Sequence, residues 1–280
     1  ILKSHKIKFN SISRDVVING KRYMKNNSYI VPMNQPKRTL IEAMFYTQTK
    51  FKDSLFYDVS SWTLPLAFNV NYDYTDGMSQ SNISSLTDDE VDNLVKPSGT
   101  VDNNSDYAYI FEPHDYYTQA AIYKILDEGL RVKTATRKFS IKGKDYDYGT
   151  YMIPVQSQEL NSDEIYELLN EVSKEYNVNF ESHSTGITDG IDFGSNNFII
   201  VKQPKIGLIV GDGVRSYDAG EIWHLLDTRY DIPISKLDIG NLGYMDLNKY
   251  SHIILPDYNG SRINSNQIKE YVNNGGNLIA

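Results

Sequence analysis

The chain has 280 residues, with 28 Lys and Arg against 36 Asp and Glu, a net charge of −8, and no cysteine. The acidic balance and the lack of a basic stripe argue against nucleic acid as a partner, because phosphate binding draws on clustered Lys and Arg. The missing thiols exclude disulfides, thiolate metal sites and a Cys nucleophile, and no apolar run reaches the ~18 residues that span a bilayer.

Ile1 and Leu2 precede a strand-like run, Lys6-Ile7-Lys8-Phe9. Gly20-Lys21 then marks a reversal, because glycine supplies the positive φ of a tight turn. Ser28-Tyr29-Ile30-Val31-Pro32 reads as a returning strand that proline stops, and a helical stretch runs from Leu40 to Phe45. Asn71 to Asp106 is polar and rich in turn residues, including Gly77-Met78-Ser79 and Pro97-Ser98-Gly99, and reads as a long loop or linker.

Tyr107 to Phe111 reads as a strand, Glu112-Pro113-His114-Asp115 as a loop, and Tyr117 to Glu128 as a helix closed by Gly129. Asp115 is the expected cap of that helix. Leu130-Arg131-Val132-Lys133, the turn Gly143-Lys144 and the strand Tyr151-Met152-Ile153-Pro154 come next. Asn161-Ser162-Asp163-Glu164 has the chemistry of a helix start, and Ile165, Leu168, Leu169 and Val172 form an apolar stripe at helical spacing.

These two stretches echo each other. Gly20 and Gly143 lie 123 positions apart, and Pro32 and Pro154 lie 122 apart. Self-similarity at a fixed offset points to duplicated structure. The second copy has a strand and loop before its helix, whereas Ile1-Leu2 matches only that helix's tail, so the chain is expected to begin in mid-unit.

Lys205 to Val210 reads as a buried strand, Gly211-Asp212-Gly213 as a tight turn, and Asp218 to Thr228 as a helix. Ser251 to Pro256 is another strand, Ser265 to Val272 a helix closed by Gly275-Gly276, and Asn277 to Ala280 a further strand. The expected fold class is α/β: duplicated strand–helix–hairpin units over 1–105 and 106–203, then an incomplete doubly wound, Rossmann/flavodoxin-like domain over 204–280.

Five histidines are present: His5, His114, His183, His224 and His252. None begins the His-x-x-Glu that a carboxypeptidase-type zinc site needs, and no Gly-x-Ser-x-Gly elbow occurs. Gly211-Asp212-Gly213 lacks the third glycine of a dinucleotide loop and carries an acid that repels phosphate. Three places remain as candidate ligand-binding residues. Asp58 and Trp62 lie in the aromatic–polar run Phe56-Tyr57-Asp58-Val59-Ser60-Ser61-Trp62. His114 and Asp115 follow a strand, where α/β ligand sites form. Glu221 and His224 share one helix face. No catalytic and no metal-binding residue is assigned.

Ser28 to Pro36, and Phe51 to Asn69 with its Tyr57-Asp58-Val59-Ser60-Ser61-Trp62 core, resemble the region after the catalytic domain in bacterial zinc carboxypeptidases of the carboxypeptidase A-like family, best in those of Bacteroidetes type. Lys205 to Ala280, with Asp218-Ala219-Gly220-Glu221-Ile222-Trp223 and the strand ending Leu255-Pro256, resembles the start of a class I glutamine amidotransferase-like domain. The resemblance implies a non-catalytic accessory region of a secreted or envelope-associated peptidase. Its zinc and catalytic residues would lie in an upstream domain, which becomes the expected partner together with peptide or glycan. The segment Ile1-Leu2-Lys3-Ser4-His5 lacks the apolar core of a signal peptide, so a secreted parent would carry its signal upstream. The alternative reading is a carbohydrate or cell-wall binding module using Asp58 and Trp62, and a third is a hydrolase built on His114, Asp115 or the Glu221–His224 pair.

Overall fold

Asn19 and Gly20 take left-handed backbone, with φ of 49° and 81°, and Lys142 and Gly143 do the same, with φ of 53° and 77°. Two successive residues of this kind make the turn whose twist matches a hairpin, and glycine at the second position carries it without strain. The computed structural model describes residues 1–25, 27–47, 63–75, 80–91, 98–260, 263 and 265–280, without the side chains of 80, 81 and 89. The chain is mixed α/β and divides into two units, Ile1–Lys96 and Pro97–Ala280.

In the first unit, β1 (Asn10–Ile12), the hairpin β2 (Val16–Ile18) and β3 (Lys21–Tyr23), and β4 (Tyr29–Ile30) precede α1 (Arg38–Phe45), α2 (Leu64–Ala67), α3 (Gln80–Leu86) and β5 (Thr87–Glu90). The sheet order is β4-β1-β5, antiparallel throughout, with Asn10 opposite Ile30 and Ser11 opposite Tyr29. Ile7, Ile41 and Met44 are buried, with Leu2, Val31, Met33 and Leu40 partly buried around them. Gln35 ties the entry to α1 to the first strand region. Its Oε1 accepts the Lys8 N–H at 2.9 Å, and its Nε2 donates to the carbonyls of Lys8 at 3.0 Å and Pro32 at 2.6 Å.

The expected linker over Asn71 to Asp106 is corrected here, since it contains α3 and β5. Thr87-Asp88-Asp89-Glu90 has no apolar alternation to announce a strand. It forms one because β1 offers an edge whose backbone groups need partners.

Among the described residues, the second unit contains two larger sheets and a two-stranded one. The first is antiparallel, with order β11-β6-β10-β7-β12 for β6 (Ala108–Phe111), β7 (Lys133–Ala135), β10 (Tyr151–Pro154), β11 (Glu181–His183) and β12 (Phe198–Ile200). β8 (Phe139–Ile141) and β9 (Lys144–Tyr146) form a separate hairpin. β6 lies between β11 and β10 and is buried at every position. Tyr109 and Phe111 pack toward Ala121 and Ile125 of α4 (Thr118–Asp127) and Ile165 and Leu169 of α5 (Ser162–Tyr176), while Ala108 and Ile110 join Phe139, Tyr146 and Phe198 in a second cluster. The alternation of strand side chains thus feeds two cores from one strand.

The expected start of α5 is present in full. Asn161 Oδ1 accepts the N–H groups of Asp163 and Glu164, and Glu164 returns a bond from the Asn161 N–H. Gln158 repeats the Gln35 pattern: it accepts the Arg131 N–H at 2.9 Å and donates to the carbonyls of Arg131 at 3.0 Å and Pro154 at 2.7 Å.

The second sheet is parallel, with order β14-β13-β15-β16 for β13 (Ile206–Val210), β14 (Ile234–Asp238), β15 (His252–Ile254) and β16 (Asn277–Ile279). α6 (Ser216–Trp223) follows β13, and α7 (Ser265–Asn273) precedes β16. The helix expected over Asp218 to Thr228 differs in two ways: it begins at Ser216, and from His224 to Arg229 it continues as a π-helix. β14 is absent from the sequence reading because it is an edge strand with Leu237 as its one fully buried residue. Among the described residues no helix is long and apolar enough to cross a membrane.

Candidate functional site

Asp58 and Trp62 lie outside the described residues. The other four candidates fall on two elements of the second unit. His114 and Asp115 occupy the β6–α4 loop, and Glu221 and His224 occupy α6 and the start of the π-helix.

The expected capping by Asp115 is corrected. Its side chain makes no cap; its backbone carbonyl accepts the Thr118 N–H at 3.1 Å, and Tyr117 stands at the N-cap position. Burial and then the neighbouring Glu112 carboxylate push the Asp115 carboxyl up, against a smaller opposing effect of His114. His114 Nε2 sits 4.0 Å from Glu112. A half-exposed imidazole at that distance from a carboxylate is a loose surface pairing rather than an oriented acid–base couple.

Tyr116, next in the same loop, reaches α6. It lines an open groove of about 570 Å³ with Ser216, Tyr217, Glu221, His224 and Arg229. Tyr217 is 80% exposed. Glu221 and His224 are three residues apart, so the helix brings both to one face. The π-helical turn after Trp223 is the least regular part of this wall, and such turns recur at functional positions. Tyr116, Tyr117 and Tyr230 stack edge to face, with centroids 4.8 to 6.4 Å apart, and so join the β6–α4 loop to the end of the π-helix.

The groove holds one carboxylate, one imidazole and one guanidinium beside phenol rings. That set can hydrogen-bond and stack against a polar ligand.

Sequence reasoning missed a second cluster on the antiparallel sheet. Lys144 forms ion pairs with Glu181 and, at 3.1 Å, with Glu112, and its ammonium lies 4.7 Å over the Tyr146 ring. Tyr146 donates its hydroxyl proton to Glu181 at 2.6 Å. Burial alone would raise the Glu181 carboxyl, but the Lys144 and Tyr146 hydrogen bonds together outweigh it and hold the group below the usual carboxylate range. Tyr146 is pushed well above its ordinary value by burial and by Glu181. Beside Glu181 on the same strand face, His183 is 3% exposed and neither ring nitrogen has a hydrogen-bond partner. Its imidazole packs edge-on against Phe193 at 5.9 Å. Burial, then Lys142, drives its pKa down. Hairpin spacing puts Lys144 and Tyr146 on one face of β9, but nothing in the sequence relates that pair to Glu112 and Glu181.

The turn after β13 is filled. Val214 pairs with Tyr258, the Arg215 N–H donates to Asp257 at 2.9 Å, and the Asn259 N–H donates to Gly213 at 2.8 Å. A Cβ on Gly213 would sit 2.9 Å from the Tyr258 ring. The loop after β15 therefore covers the place where a phosphate would approach.

No three His, Cys, Asp or Glu side chains gather as a metal shell among the described residues. Comparison with protein-family models, with curated proteins and with solved structures finds no match for this chain.

Proposed function

We propose that this chain is a non-catalytic, ligand-binding accessory region of a secreted bacterial zinc carboxypeptidase, and that the Tyr116–Tyr217–Glu221–His224–Arg229 groove is its binding surface. The observation that carries the binding role is the groove itself, where aromatic rings stand beside one acidic, one basic and one imidazole side chain. The parent activity rests on the sequence resemblance. In this reading zinc and the chemistry of C-terminal peptide hydrolysis belong to an upstream catalytic domain of the same polypeptide, and the chain presents peptide or glycan to it.

The finer fold belongs to the same proposal: two copies of one hairpin-bearing unit, then an amidotransferase-like, doubly wound domain. Supporting the duplication are the matching turns, the Gln35 and Gln158 bonds, and the antiparallel pairings Asn10–Ile30 and Lys133–Met152. Supporting the second part is the all-parallel order β14-β13-β15-β16. The exposed Tyr217 ring favours a sugar among possible ligands, because a phenol face stacks on pyranose C–H groups; the carbohydrate-module reading thereby gains a place other than Asp58 and Trp62.

The test is a two-dimensional NMR titration of the purified chain with a tripeptide bearing a free C-terminal carboxylate, and separately with a chitin trisaccharide. Shifts confined to Tyr116, Tyr217 and His224, lost in the Glu221→Gln/His224→Ala double variant, are expected for one of them. Unchanged spectra with both would remove the groove. Stoichiometric zinc retained after metal loading and desalting would overturn the assignment of zinc to another domain.

A further inference from the structure

β11 ends at His183 and β12 begins at Phe198, and residues 184–197 between them form a loop that meets β8 where Asp189 pairs with Ser140. The underside of this loop is apolar. Ile191 and Phe193 are buried with Phe139, Ile141, Tyr146 and Phe198, and Phe193 stacks on Tyr107 at 6.4 Å. The His183 ring packs edge-on against Phe193, so the loop supplies part of its cover.

The fastening of that cover is local. Ser140 and Asp189 exchange two N–H to carbonyl bonds at 2.8 Å, which tie the loop to β8. The Phe193 N–H donates to Gly186 at 3.0 Å, and Thr188 bonds to Asp192 and Ile191, which close the loop on itself. β6, on the other side of the ring, is instead held by ladders to both β10 and β11.

The ring has no means of keeping a proton where it stands. It is 3% exposed, and neither nitrogen has a hydrogen-bond partner. The charged groups that act on it are Lys142 from the β8–β9 turn, Lys144 from β9, Glu181 from β11 and Asp102 from the segment before β6. Two of these are cations. The two carboxylates are already engaged, Glu181 by Lys144 and Tyr146, and Asp102 by the Ser182 N–H. The loop's own acids, Asp189 and Asp192, are exposed. A charge buried without a partner is strongly unfavourable, and a fold yields first where fewest bonds must break.

We propose that the 184–197 loop is an acid-operated lid: uptake of a proton by His183 releases the loop from β8 and bares the apolar cluster beneath it. Above about pH 6.5, the ordinary imidazole value, the ring is neutral with the lid open or shut, and the lid stays shut. Below that pH the open state takes up a proton that the shut state resists. The open population then rises by up to about tenfold per pH unit, until the shut state also titrates.

The test is residue-resolved hydrogen exchange of the intact chain at about pH 7.5 and about pH 5.5, each rate divided by that of the unfolded amide, with NMR titration of the His183 ring. Opening at Ser140, Asp189 and Phe193 is expected to increase by about tenfold over this interval, while the amides of Ile125 and Leu169, inside α4 and α5, stay protected. His183→Leu keeps the apolar contacts and should abolish the pH response of the lid. Unchanged lid protection in the native chain, a ring that titrates at or above about pH 6.5, or a lid response that survives His183→Leu overturns the proposal. Equal opening at Ile125 and Leu169 overturns it too, because the whole unit then unfolds together. The ring titration and the comparison of the two pH values use the native chain, so they decide the question even where the variant does not fold.

Discussion

Gln158 clasps Arg131 in both directions, its Oε1 taking the Arg131 N–H at 2.9 Å and its Nε2 giving to the Arg131 carbonyl at 3.0 Å. A side-chain amide placed this way imitates a strand partner for one residue. It satisfies backbone groups beside the sheet, next to a chain segment that has just left it at Pro154. Gln35 does the same for Lys8 in the other unit.

Replacing Gln158 by Ala should therefore lower stability by about 1–2 kcal/mol, since bonds are lost at a position open to some water. Gln35→Ala should loosen the first unit to a similar degree. Urea unfolding with residue-resolved exchange separates the two, because each variant should speed exchange in its own unit.

His183 makes stability depend on pH. Its imidazole is buried with both nitrogens unpartnered, and its pKa is depressed, chiefly by that burial. Below about pH 6.5, the ordinary imidazole value, the unfolded chain takes up a proton that the folded chain resists. Stability is therefore present above that pH and is lost as pH falls toward the folded-state pKa. The groups that act on the ring, Lys142, Lys144, Glu181 and Asp102, include both signs. His183→Leu should flatten the thermal midpoint between about pH 5 and 7, since the ring makes no hydrogen bond to lose. An unchanged slope would show that other groups set it.

Lys144 holds the Glu181 carboxyl down together with Tyr146, against the effect of burial. Lys144→Met should raise that carboxyl, read by carbon-detected NMR titration of Glu181. The depressed value means that the contribution exists above the ordinary carboxylate pKa and disappears as pH falls through the folded one. Both side chains are about a third to a half exposed, so screening limits the stability loss at neutral pH to ~0.5–1 kcal/mol.

Gly99 is fixed by space rather than by φ. A Cβ there would lie 2.2 Å from the Val178 carbonyl oxygen and 2.7 Å from that of Ser173. Both are backbone atoms at the end of α5, and the Gly99 N–H donates to Ser173 at 3.1 Å. Gly99→Ala should cost about 1–3 kcal/mol through forced backbone movement, measured by chemical denaturation. An unchanged midpoint would mean that this segment detaches freely from α5.

The sequence by itself determined what is local. Asn161 and Glu164 write the start of α5, because capping is settled within one turn. Gly20 and Gly143 write the two hairpin turns, and the fixed offset between them carries the echo. Periodicity marked α4, α5, β6 and β13, which bury enough apolar surface to show it. What lay beyond reach depends on partners distant in the chain. β5 and β14 have little apolar pattern, and each becomes a strand because β1 or β13 presents unpaired backbone beside it. The groove exists only because Tyr116 and α6, a hundred positions apart, are brought to one surface. The Glu112–Lys144–Glu181 cluster likewise joins charges from a loop and two strands that spacing could not relate. Burial and ionic contact are properties of assembled neighbours, and only the tertiary structure decides which neighbours those are.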